Sequence, residues 1–573
     1  MRGKRQPPRL PRLQVASSRA RKVESRTRAA FLATWLACVI AGLLGLSCAR
    51  SAVTSAAARD GATEGVDASA NTGACANANA NASASAEAGA AARSQIDDDG
   101  NDDPEDPGSG SAPASGRFEK VGTPPLALTR ICDLTPFGDA LYAAHANQPL
   151  GTDGATVTRY RPTVTNAVTN SDAGAGAGVA KRSFGVAFDW NRPGEPTKGG
   201  GAGQGFLRVH AIGGRLFVAD ADPPYNGLGL VEYGTEGYVF VSDRAGAFAP
   251  PRAPNFRPPP APDLLSESGR AGAAVLPRAY HVIDVIKYRG GLYASTGSVP
   301  PKEKAWHGPS PGALHRASAD GTRWTYEVDY PYPWQDGVWR LTFMVRFRDR
   351  LYAGIQDYDG RDPNDYVFFA PTTGAGSDAR AGAAADAGAT LEAGAPLPPI
   401  LRREDEHAVR VTRTGAAGTL RWWVDTRAKP ARLYWLAWSR DTGVLLRVTT
   451  DGDRWAAIPL PADAGRPTDV TRFRDAVVVL TERGLYRLSG DAIEGATGVD
   501  ASNGVAMATA TPIVRPDEAP DAGVGAGAGA GAKDKKSPFE VSDFFCVAPL
   551  AVFQNELYAG GQRGGTLYKL ATP

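Results

Sequence analysis

Histidine and cysteine, which carry much of enzyme chemistry, are scarce: the 573 residues include six His and five Cys. The chain contains no Gly-x-Ser-x-Gly, no His-Glu-x-x-His, no phosphate-binding glycine loop and no Cys-x-x-Cys. These absences exclude the common sequence signatures of serine hydrolases, zinc proteases, P-loop enzymes and thiol oxidoreductases. The sequence therefore identifies no catalytic residue.

The chain also lacks the apolar periodicity of helices, and beyond its N-terminus it has no net positive charge. No sustained i, i+3, i+4, i+7 apolar pattern follows residue 48, which argues against a helical fold. Residues 1–30 hold ten Lys or Arg and one acid. The formal net charge is +2, so removing that +9 leaves roughly −7 for the remainder. A mildly acidic body argues against a nucleic-acid partner.

The N-terminus has the pattern of an export signal. A basic stretch precedes an apolar run, FLATWLACVIAGLLGLS, which extends up to Cys48. The segment LGLSC resembles a bacterial lipobox, and that resemblance implies lipid attachment at Cys48 and a lipoprotein facing the periplasm or the cell surface. Cleavage near the alanines at 56–58 and an uncleaved membrane anchor are the alternatives.

Low-complexity segments surround and interrupt the rest of the chain. Residues 49–115 are rich in Ala, Asn and Asp and hold no aromatic residue, so they cannot bury enough apolar surface to offset their ordering entropy. We interpret them as a disordered tether that follows the signal at 1–48 and leads into a body at 116–573. Similar tracts near 170–182, 372–404 and 513–537 are interpreted as disordered loop insertions.

A ten-residue pattern recurs along the body. It reads FGDALYAAHA, IGGRLFVADA, YRGGLYASTG, FRDRLYAGIQ and FQNELYAGGQ, and less regular copies bring the number of units to seven. Each unit reads as four antiparallel strands, here called A to D, in which the repeated residues form the A–B hairpin. Repeated four-stranded sheets predict an all-β, seven-bladed β-propeller, with six or eight blades as alternatives.

The two ends of the body fit together as one unit. The last unit ends in a strand C, GGTLYKLATP, with no strand D after it. The segment at 117–122 resembles the strand D of other units. We therefore predict that it completes the last sheet and closes the ring.

Two C–D turns carry a family resemblance. The segments SADGTRW at 318–324 and TTDGDRW at 449–455 resemble the Asp-box hairpins of sialidase-like bacterial propellers. The resemblance implies a structural role, in which Asp320 and Asp451 bond turn amides, the following glycine adopts positive φ, and the Trp packs between sheets.

Long B–C and D–A loops share one face of the predicted ring, and they carry most of the loop aromatics. Binding residues often occupy such loops, so this face is the predicted ligand surface for a sugar or a peptide. The alternative is that these side chains pack the loops onto the sheets. The candidates are Tyr225, Trp306, His307, Tyr332, Trp334 and Trp339.

Two further sites follow from residue spacing. The segment DYDGRDPND supplies Asp357, Asp359 and Asp362, oxygen ligands that suit calcium; metal-free turns are the alternative, and no other cofactor is expected. Cys132 and Cys546 fall before the first and last repeats, on strands predicted to be A strands. Because these blades are neighbours in a closed ring, a disulfide there would join them; two free buried thiols are the alternative.

The sequence thus predicts an exported, monomeric propeller that binds a protein or carbohydrate at the cell envelope. A secreted, sialidase-like glycan hydrolase using the same face is the alternative. A propeller with a purely structural role is the third hypothesis.

The lipid anchor is directly testable. Changing Cys48 to Ser should abolish incorporation of a labelled fatty acid and move the protein from the membrane pellet to the soluble fraction, because the thioether is lost. The matched control is Cys38→Ser, in the same apolar run. Equal labelling of both variants would contradict the assignment.

Overall fold

The structure is a computed structural model of the 573-residue chain. It describes residues 110–126, 128, 130–146, 155–162, 183–190, 205–220, 236–249, 271–299, 310–318, 323–332, 337–357, 362–370, 401–412, 416–439, 443, 445–489, 510–514, 537–540 and 546–572. Within these ranges the one helix is a three-residue 3-10 turn, η1 (Arg403–Asp405). No helix in the described part of the chain has the length and apolar character needed to cross a bilayer.

In the described ranges, twenty-eight strands form seven four-stranded antiparallel sheets, which confirms the predicted seven-bladed propeller. Each sheet is a blade whose A strand lies at one end of the strand order. Blade 1 comprises β2 (Arg130–Phe137), β3 (Ala140–Ala146), β4 (Thr156–Arg161) and β5 (Ser183–Asp189). Blade 2 comprises β6 (Phe206–Ile212), β7 (Arg215–Asp220), β8 (Glu236–Val241) and β9 (Gly272–Pro277). Blade 3 comprises β10 (Ala279–Tyr288), β11 (Gly291–Ser298), β12 (Gly312–Ala317) and β13 (Trp324–Tyr330).

Blades 4 to 7 continue the same order. Blade 4 comprises β14 (Trp339–Phe347), β15 (Arg350–Asp357), β16 (Tyr366–Phe369) and β17 (Glu406–Val409), and blade 5 comprises β18 (Ala416–Asp425), β19 (Arg432–Ser439), β20 (Leu445–Thr449) and β21 (Ala456–Ala457). Blade 6 comprises β22 (Pro467–Phe473), β23 (Ala476–Thr481), β24 (Leu485–Leu488) and β25 (Ala510–Val514). Blade 7 comprises β26 (Leu550–Phe553), β27 (Glu556–Gly560), β28 (Leu567–Ala571) and β1 (Arg117–Gly122).

The N-terminal strand closes the ring as predicted. β1 pairs antiparallel with β28, from Arg117 opposite Ala571 to Gly122 opposite Leu567. Phe118 is 3% exposed, and its ring centroid lies 5.1 Å from that of Phe539. The first described strand therefore supplies the strand D that the last blade lacks.

A disulfide joins blade 1 to blade 7. The Cα atoms of Cys132 and Cys546 are 4.6 Å apart and their sulfurs are bonded. Cys132 lies in β2, but Cys546 lies in a bend before Leu550, where β26 begins. The prediction that both cysteines occupy A strands was wrong for Cys546: blade 7 has a short A strand, and the cysteine approaches from the segment before it.

The boundaries of the predicted low-complexity segments differ from the structure. Residues 110–115, assigned from sequence to the tether, lie along blade 6: the Ala112 amide donates to Asp475 Oδ1 over 2.6 Å, and Arg474 Nη1 donates to the Ser111 carbonyl over 3.2 Å. Both partners belong to the A–B turn of that blade. At the insertions, residues 403–404 belong to η1 and residues 513–514 to β25.

The C–D turn of blade 5 shows how the Asp-box-like residues act. Asp451 Oδ1 accepts the amides of Asp453 and Arg454, each at 2.9 Å. Gly452 has a φ of 85°, a left-handed conformation that favours glycine. Trp455 Nε1 donates to Tyr366 Oη of blade 4 over 2.7 Å. The turn therefore holds an indole between two blades, a structural role.

The Phe118 side chain, which holds β1 in blade 7, should contribute to the stability of the fold. Changing Phe118 to Ala should lower the free energy of unfolding by about 3–5 kcal/mol, because it leaves a cavity between β1 and Phe539. Thermal or denaturant unfolding of the full chain measures this effect.

The control is Leu126→Ala, since Leu126 is 37% exposed and should change stability by less than about 0.5 kcal/mol. Similar losses for both variants would mean that β1 does not close the fold.

Candidate functional site

Most of the predicted aromatic ligand residues lie in loops outside the described residues. These are Tyr225, Trp306, His307 and Trp334. Their role in a ligand surface stays a prediction. Of the six candidates the structure describes Tyr332 and Trp339.

Trp339 is a packing residue, which corrects its assignment to the ligand surface. It begins β14, and its side chain is 2% exposed. Its ring meets that of Tyr330 edge to face, with centroids 6.3 Å apart. The indole therefore fills the contact between blades 3 and 4, as the packing alternative predicts.

The predicted calcium ligands form a hydrogen-bonded turn. Asp357 Oδ2 accepts the amide of Asp362 over 2.8 Å, and Asp362 Oδ1 accepts the amide of Asn364 over 2.8 Å. Tyr330 Oη donates to Asp362 Oδ2 over 2.5 Å. No group of three metal-ligating side chains occurs among the residues that the structure describes, and Asp359 lies outside them. The geometry fits an Asx turn, and calcium binding stays a prediction.

Five charged side chains from the A strands converge at the inner edges of the blades. We call them the axial ring: Asp133, Arg208, Asp284, Arg421 and Asp469. Each lies where the pairing of strands A and B shifts register, and each is buried. A β-bulge leaves one residue out of the ladder and redirects its side chain. In four blades the charged residue directly follows the residue that the ladder leaves out, and in blade 2 Arg208 is itself left out.

The three carboxylates of the axial ring bond blades 1, 3 and 6 to the blade that follows each of them. Asp133 Oδ2 accepts the Val209 amide over 3.0 Å. Asp284 Oδ2 accepts the Met344 amide and Asp469 Oδ2 the Leu550 amide, both over 2.7 Å. Backbone amides of three A strands are thus satisfied by the preceding blade, as buried donors require.

Arginines pair with two of these three buried carboxylates. Arg421 Nη1 donates to Asp133 Oδ1 over 2.8 Å, its Nε lies 3.5 Å from Asp469 Oδ2, and its Nη2 donates to the Cys132 carbonyl over 2.9 Å. Arg208 Nη1 reaches Asp133 Oδ1 at 3.3 Å, and its Cζ lies 4.0 Å from the centroid of the Phe343 ring. Asp133 and Asp469 are therefore already engaged within the protein.

Burial dominates the proton affinity of the axial carboxylates. It raises the pKa of Asp469 to about 6, although the Arg421 guanidinium and two backbone amides oppose it. Burial also raises the pKa of Asp133. These pKa shifts arise from desolvation inside a structural network, since the same carboxylates hold the blades together.

A second polar group lies where blades 3 and 4 meet. We call it the seam cluster: Tyr326, Asp329, Tyr332, Arg403 and Glu406. Tyr326 and Asp329 lie in β13, Tyr332 follows that strand in the D–A loop, and Arg403 and Glu406 begin η1 and β17. The D–A loop of blade 3 and the C–D loop of blade 4 thus both contribute to the cluster.

Arg403 organises the seam cluster. Its Nη2 donates to Asp329 Oδ1, and its Cζ lies 3.2 Å from the centroid of the Tyr332 ring. Tyr332 is nevertheless 60% exposed, so one face of the ring remains open to solvent. An aromatic surface thus lies beside a charge-balanced ion pair.

Glu406 differs from an ordinary surface carboxyl. Burial raises its pKa to about 7, although the Arg403 charge lowers it; the Asp329 charge adds to the rise. Glu406 therefore keeps its proton to a higher pH than an ordinary glutamate does. A protonated carboxyl donates a hydrogen bond as well as accepting one.

Sequence reasoning missed the axial ring, and of the seam cluster it identified Tyr332 alone as a candidate ligand residue. The axial aspartates had a readable signal: Asp stands four residues before the aromatic that ends the A strand in CDLTPF, IDVIKY and TDVTRF. The seam cluster had none, because Tyr332 and Arg403 stand far apart in the chain, with a whole β-hairpin and a low-complexity insertion between them. Their contact depends on how the two blades pack.

Comparisons with known proteins give no family. No protein-family model matches the chain, and no curated protein matches its sequence.

Several solved structures share a remote likeness. The extracellular domain of a one-component system from B. thetaiotaomicron is 8% identical, with a TM-score of 0.35 over 79% of this chain and 40% of that one. A periplasmic gluconolactonase from Pseudomonas aeruginosa is 12% identical, with a TM-score of 0.32 over 76% and 95%. An α-L-arabinanase from Penicillium chrysogenum is 8% identical, with a TM-score of 0.31 over 80% and 98%. The chain spans less than half of the first structure, and likenesses of this size carry no functional argument.

The axial ring should make stability depend on pH. The pKa of Asp469 is about 6 in the fold against an ordinary 3.8, so the folded state binds this proton more tightly than the unfolded state. Its contribution to stability is complete below about pH 4 and is lost as pH rises through about 6. Relative to Asp469→Asn, the wild type should lose up to about 3 kcal/mol between about pH 4 and pH 7, at about 1.4 kcal/mol per pKa unit.

Denaturant unfolding at each pH measures this difference. The control is Asp139→Asn, since the Asp139 side chain is 72% exposed. A constant difference between wild type and Asp469→Asn across this range would contradict the assignment.

Proposed function

We propose that this chain is an exported propeller that binds a protein or carbohydrate at the cell envelope, through the surface formed by its B–C and D–A loops. The N-terminal segment, with Cys48 as its lipid attachment residue, would anchor it to the membrane. The observation that carries the proposal is the exposed Tyr332 ring in the D–A loop beside the Arg403–Asp329 pair. Exposed aromatics beside fixed polar groups are typical of binding surfaces.

The position of the first described residues is consistent with a ligand surface on the B–C and D–A face and an anchor on the other side. Residues 111–112 are bonded to Arg474 and Asp475 in an A–B turn. Strand direction alternates within each blade, so A–B turns lie on the face opposite the B–C and D–A loops. The described part of the chain therefore begins on the face opposite the proposed ligand surface.

Glycan hydrolysis has less support at the ring's centre. A hydrolase of the usual kind needs two carboxyl groups free to act on the substrate, whereas the axial aspartates bond backbone amides and arginines. In the seam cluster, Glu406 and Asp329 are two neighbouring carboxyl groups, and Asp329 is bonded to Arg403. Hydrolysis therefore remains the second hypothesis and a purely structural propeller the third.

A binding screen tests the main proposal. Full-length protein is titrated over immobilised envelope protein fractions and immobilised envelope glycans, and its binding is measured. The same titration is run with the variants Tyr332→Ala, Trp306→Ala and Trp334→Ala. Loss of an aromatic anchor should weaken binding about tenfold or more, since anchors of this kind contribute over about 1.4 kcal/mol.

The control is Val186→Ala, on the outer strand β5 of blade 1, where Val186 is 40% exposed. It should bind like the wild type. Failure of the wild type to bind any fraction, or equal binding by all variants, would refute the proposed ligand surface.

A further inference from the structure

Positive charge is concentrated in the A–B turns of four consecutive blades, 3 to 6. These turns and the strand ends beside them, here called the basic face, comprise residues 287–290, 346–350, 425–432 and 472–475. They hold ten Lys or Arg and three Asp. In blades 7, 1 and 2 the corresponding turns read Gln-Asn, Gly-Asp and Gly-Gly. The positive surplus therefore lies on one side of this end of the ring.

Contacts between blades join the turns of blades 3, 4 and 5. Tyr288 Oη of blade 3 donates to the Asp349 carbonyl of blade 4 over 2.5 Å. Arg350 Nη1 of blade 4 lies 2.5 Å from Asp453 Oδ1, in the C–D turn of blade 5. Each turn is thus fixed to the next, and the cations belong to one continuous surface.

The surface continues across blade 6 to the first described residues of the chain. Arg472 Nη2, in β22 of blade 6, lies 2.5 Å from Asp425 Oδ2, at the end of β18 of blade 5. In the A–B turn of blade 6, Arg474 Nη1 donates to the Ser111 carbonyl over 3.2 Å. The described chain therefore begins at the edge of the basic face.

Cations of the basic face are accessible from solvent. Arg289, Arg348 and Lys429 are all exposed. Arg348 Nη2 donates to the Thr450 carbonyl over 2.5 Å, and the Cζ of Arg289 lies 5.8 Å from the centroid of the Tyr288 ring. A carbonyl and an aromatic ring orient a guanidinium but do not neutralise its charge. These side chains can therefore pair with an anion that approaches the face.

The backbone of these turns indicates that the arginines are retained for their charge. Arg289, Arg348 and Arg474 each occupy the first position of a two-residue turn, with φ of 47°, 54° and 56°. Blades 1 and 2 have Gly138 and Gly213 at that position, with φ of 58° and 59°. The left-handed conformation is strained for residues with a side chain and unstrained for glycine. Such strain in three blades points to a function of the side chain.

The sequence places an acidic segment directly before the point where the chain meets this face. Residues 97–106 read DDDGNDDPED and hold seven acids and no Lys or Arg. Ser111, whose carbonyl accepts from Arg474, follows Asp106 by five residues. Five residues reach at most about 18 Å. The end of the acidic segment is therefore covalently confined to the neighbourhood of the basic face.

We infer that the basic face is the binding site of the chain's own acidic segment, residues 97–106, which covers the A–B turns and competes with external anions for them. Charge complementarity and the short connection select this occupant. A segment joined so closely acts at an effective concentration in the millimolar range, which a free anion of similar charge must exceed to displace it. The inference is independent of the proposed ligand surface, which lies on the opposite face.

Zero-length cross-linking of the full-length protein tests the position of the segment. A carbodiimide joins an amine to a carboxyl group in contact with it, and Lys429 is the exposed lysine of the basic face. Mass spectrometry should find Lys429 joined to acids of residues 97–106. Raising the salt from about 0.1 M to about 1 M should lower this yield about fivefold or more, because the screening length falls from about 10 Å to about 3 Å.

Lys120 is the matched control for cross-linking. It is also exposed, and it lies in β1, only fourteen residues after Asp106. A segment that collides at random would therefore reach Lys120 readily. Equal yields at Lys120 and Lys429, or a Lys429 yield that salt leaves unchanged, would overturn the inference.

Binding of a fluorescent decaglutamate peptide to the full-length protein tests the competition. Removing the charge of the segment should tighten this binding about tenfold or more, because the internal competitor is lost. Adding Arg348→Gln and Lys429→Gln should reverse the gain. The neutralised variant carries the substitutions Asp97→Asn, Asp98→Asn, Asp99→Asn, Asp102→Asn, Asp103→Asn, Glu105→Gln and Asp106→Asn.

The control neutralises acids earlier in the chain, with Asp60→Asn, Glu64→Gln and Asp67→Asn together. It should bind decaglutamate within about twofold of the wild type, since these acids are far along the chain from the basic face. If the wild type binds decaglutamate as tightly as the neutralised variant, the face is open to external anions and the inference fails. It fails equally if the neutralised variant binds no decaglutamate.

Discussion

The need to cover both apolar faces of every blade governs this molecule. A four-stranded sheet with apolar side chains on both faces cannot shelter itself, so each blade packs between two others and the series closes on itself. Two features join the first and last blades: β1 supplies the missing strand of blade 7, and the Cys132–Cys546 disulfide links the inner edges of the two blades. The N-terminal strand and the C-terminal strands thereby belong to one sheet.

Closure brings seven A strands together, and five of them carry a buried charged residue beside or within a bulge. Asp133, Asp284 and Asp469 bond amides of the next blade, while Arg421 spans two of these carboxylates. Buried ion pairs contribute little net stability but are costly to break. The ring therefore specifies which blade follows which, and it uses carboxylates that would otherwise be candidates for chemistry.

The seam cluster contrasts with that network. In the axial ring the carboxylates are bonded, whereas around Arg403 buried donors and acceptors remain unpartnered among the described residues and an aromatic ring faces solvent. A bonded network at the inner edges of the blades and an exposed aromatic ring in a loop are together what a rigid scaffold that carries a site would show.

The sequence by itself determined the blade number, the strand order and the closure by residues 117–122, because repeated hairpins have local signals and each unit repeats them. It also indicated the turn roles of Asp451 and Gly452, which depend on neighbouring residues alone. Only the tertiary structure decided that Trp339 is buried, that Cys546 lies before its A strand, and that Tyr332, Arg403 and Glu406 meet. These outcomes depend on how far one blade is rotated against the next, and that angle is set by side-chain packing across the whole interface rather than by any local pattern.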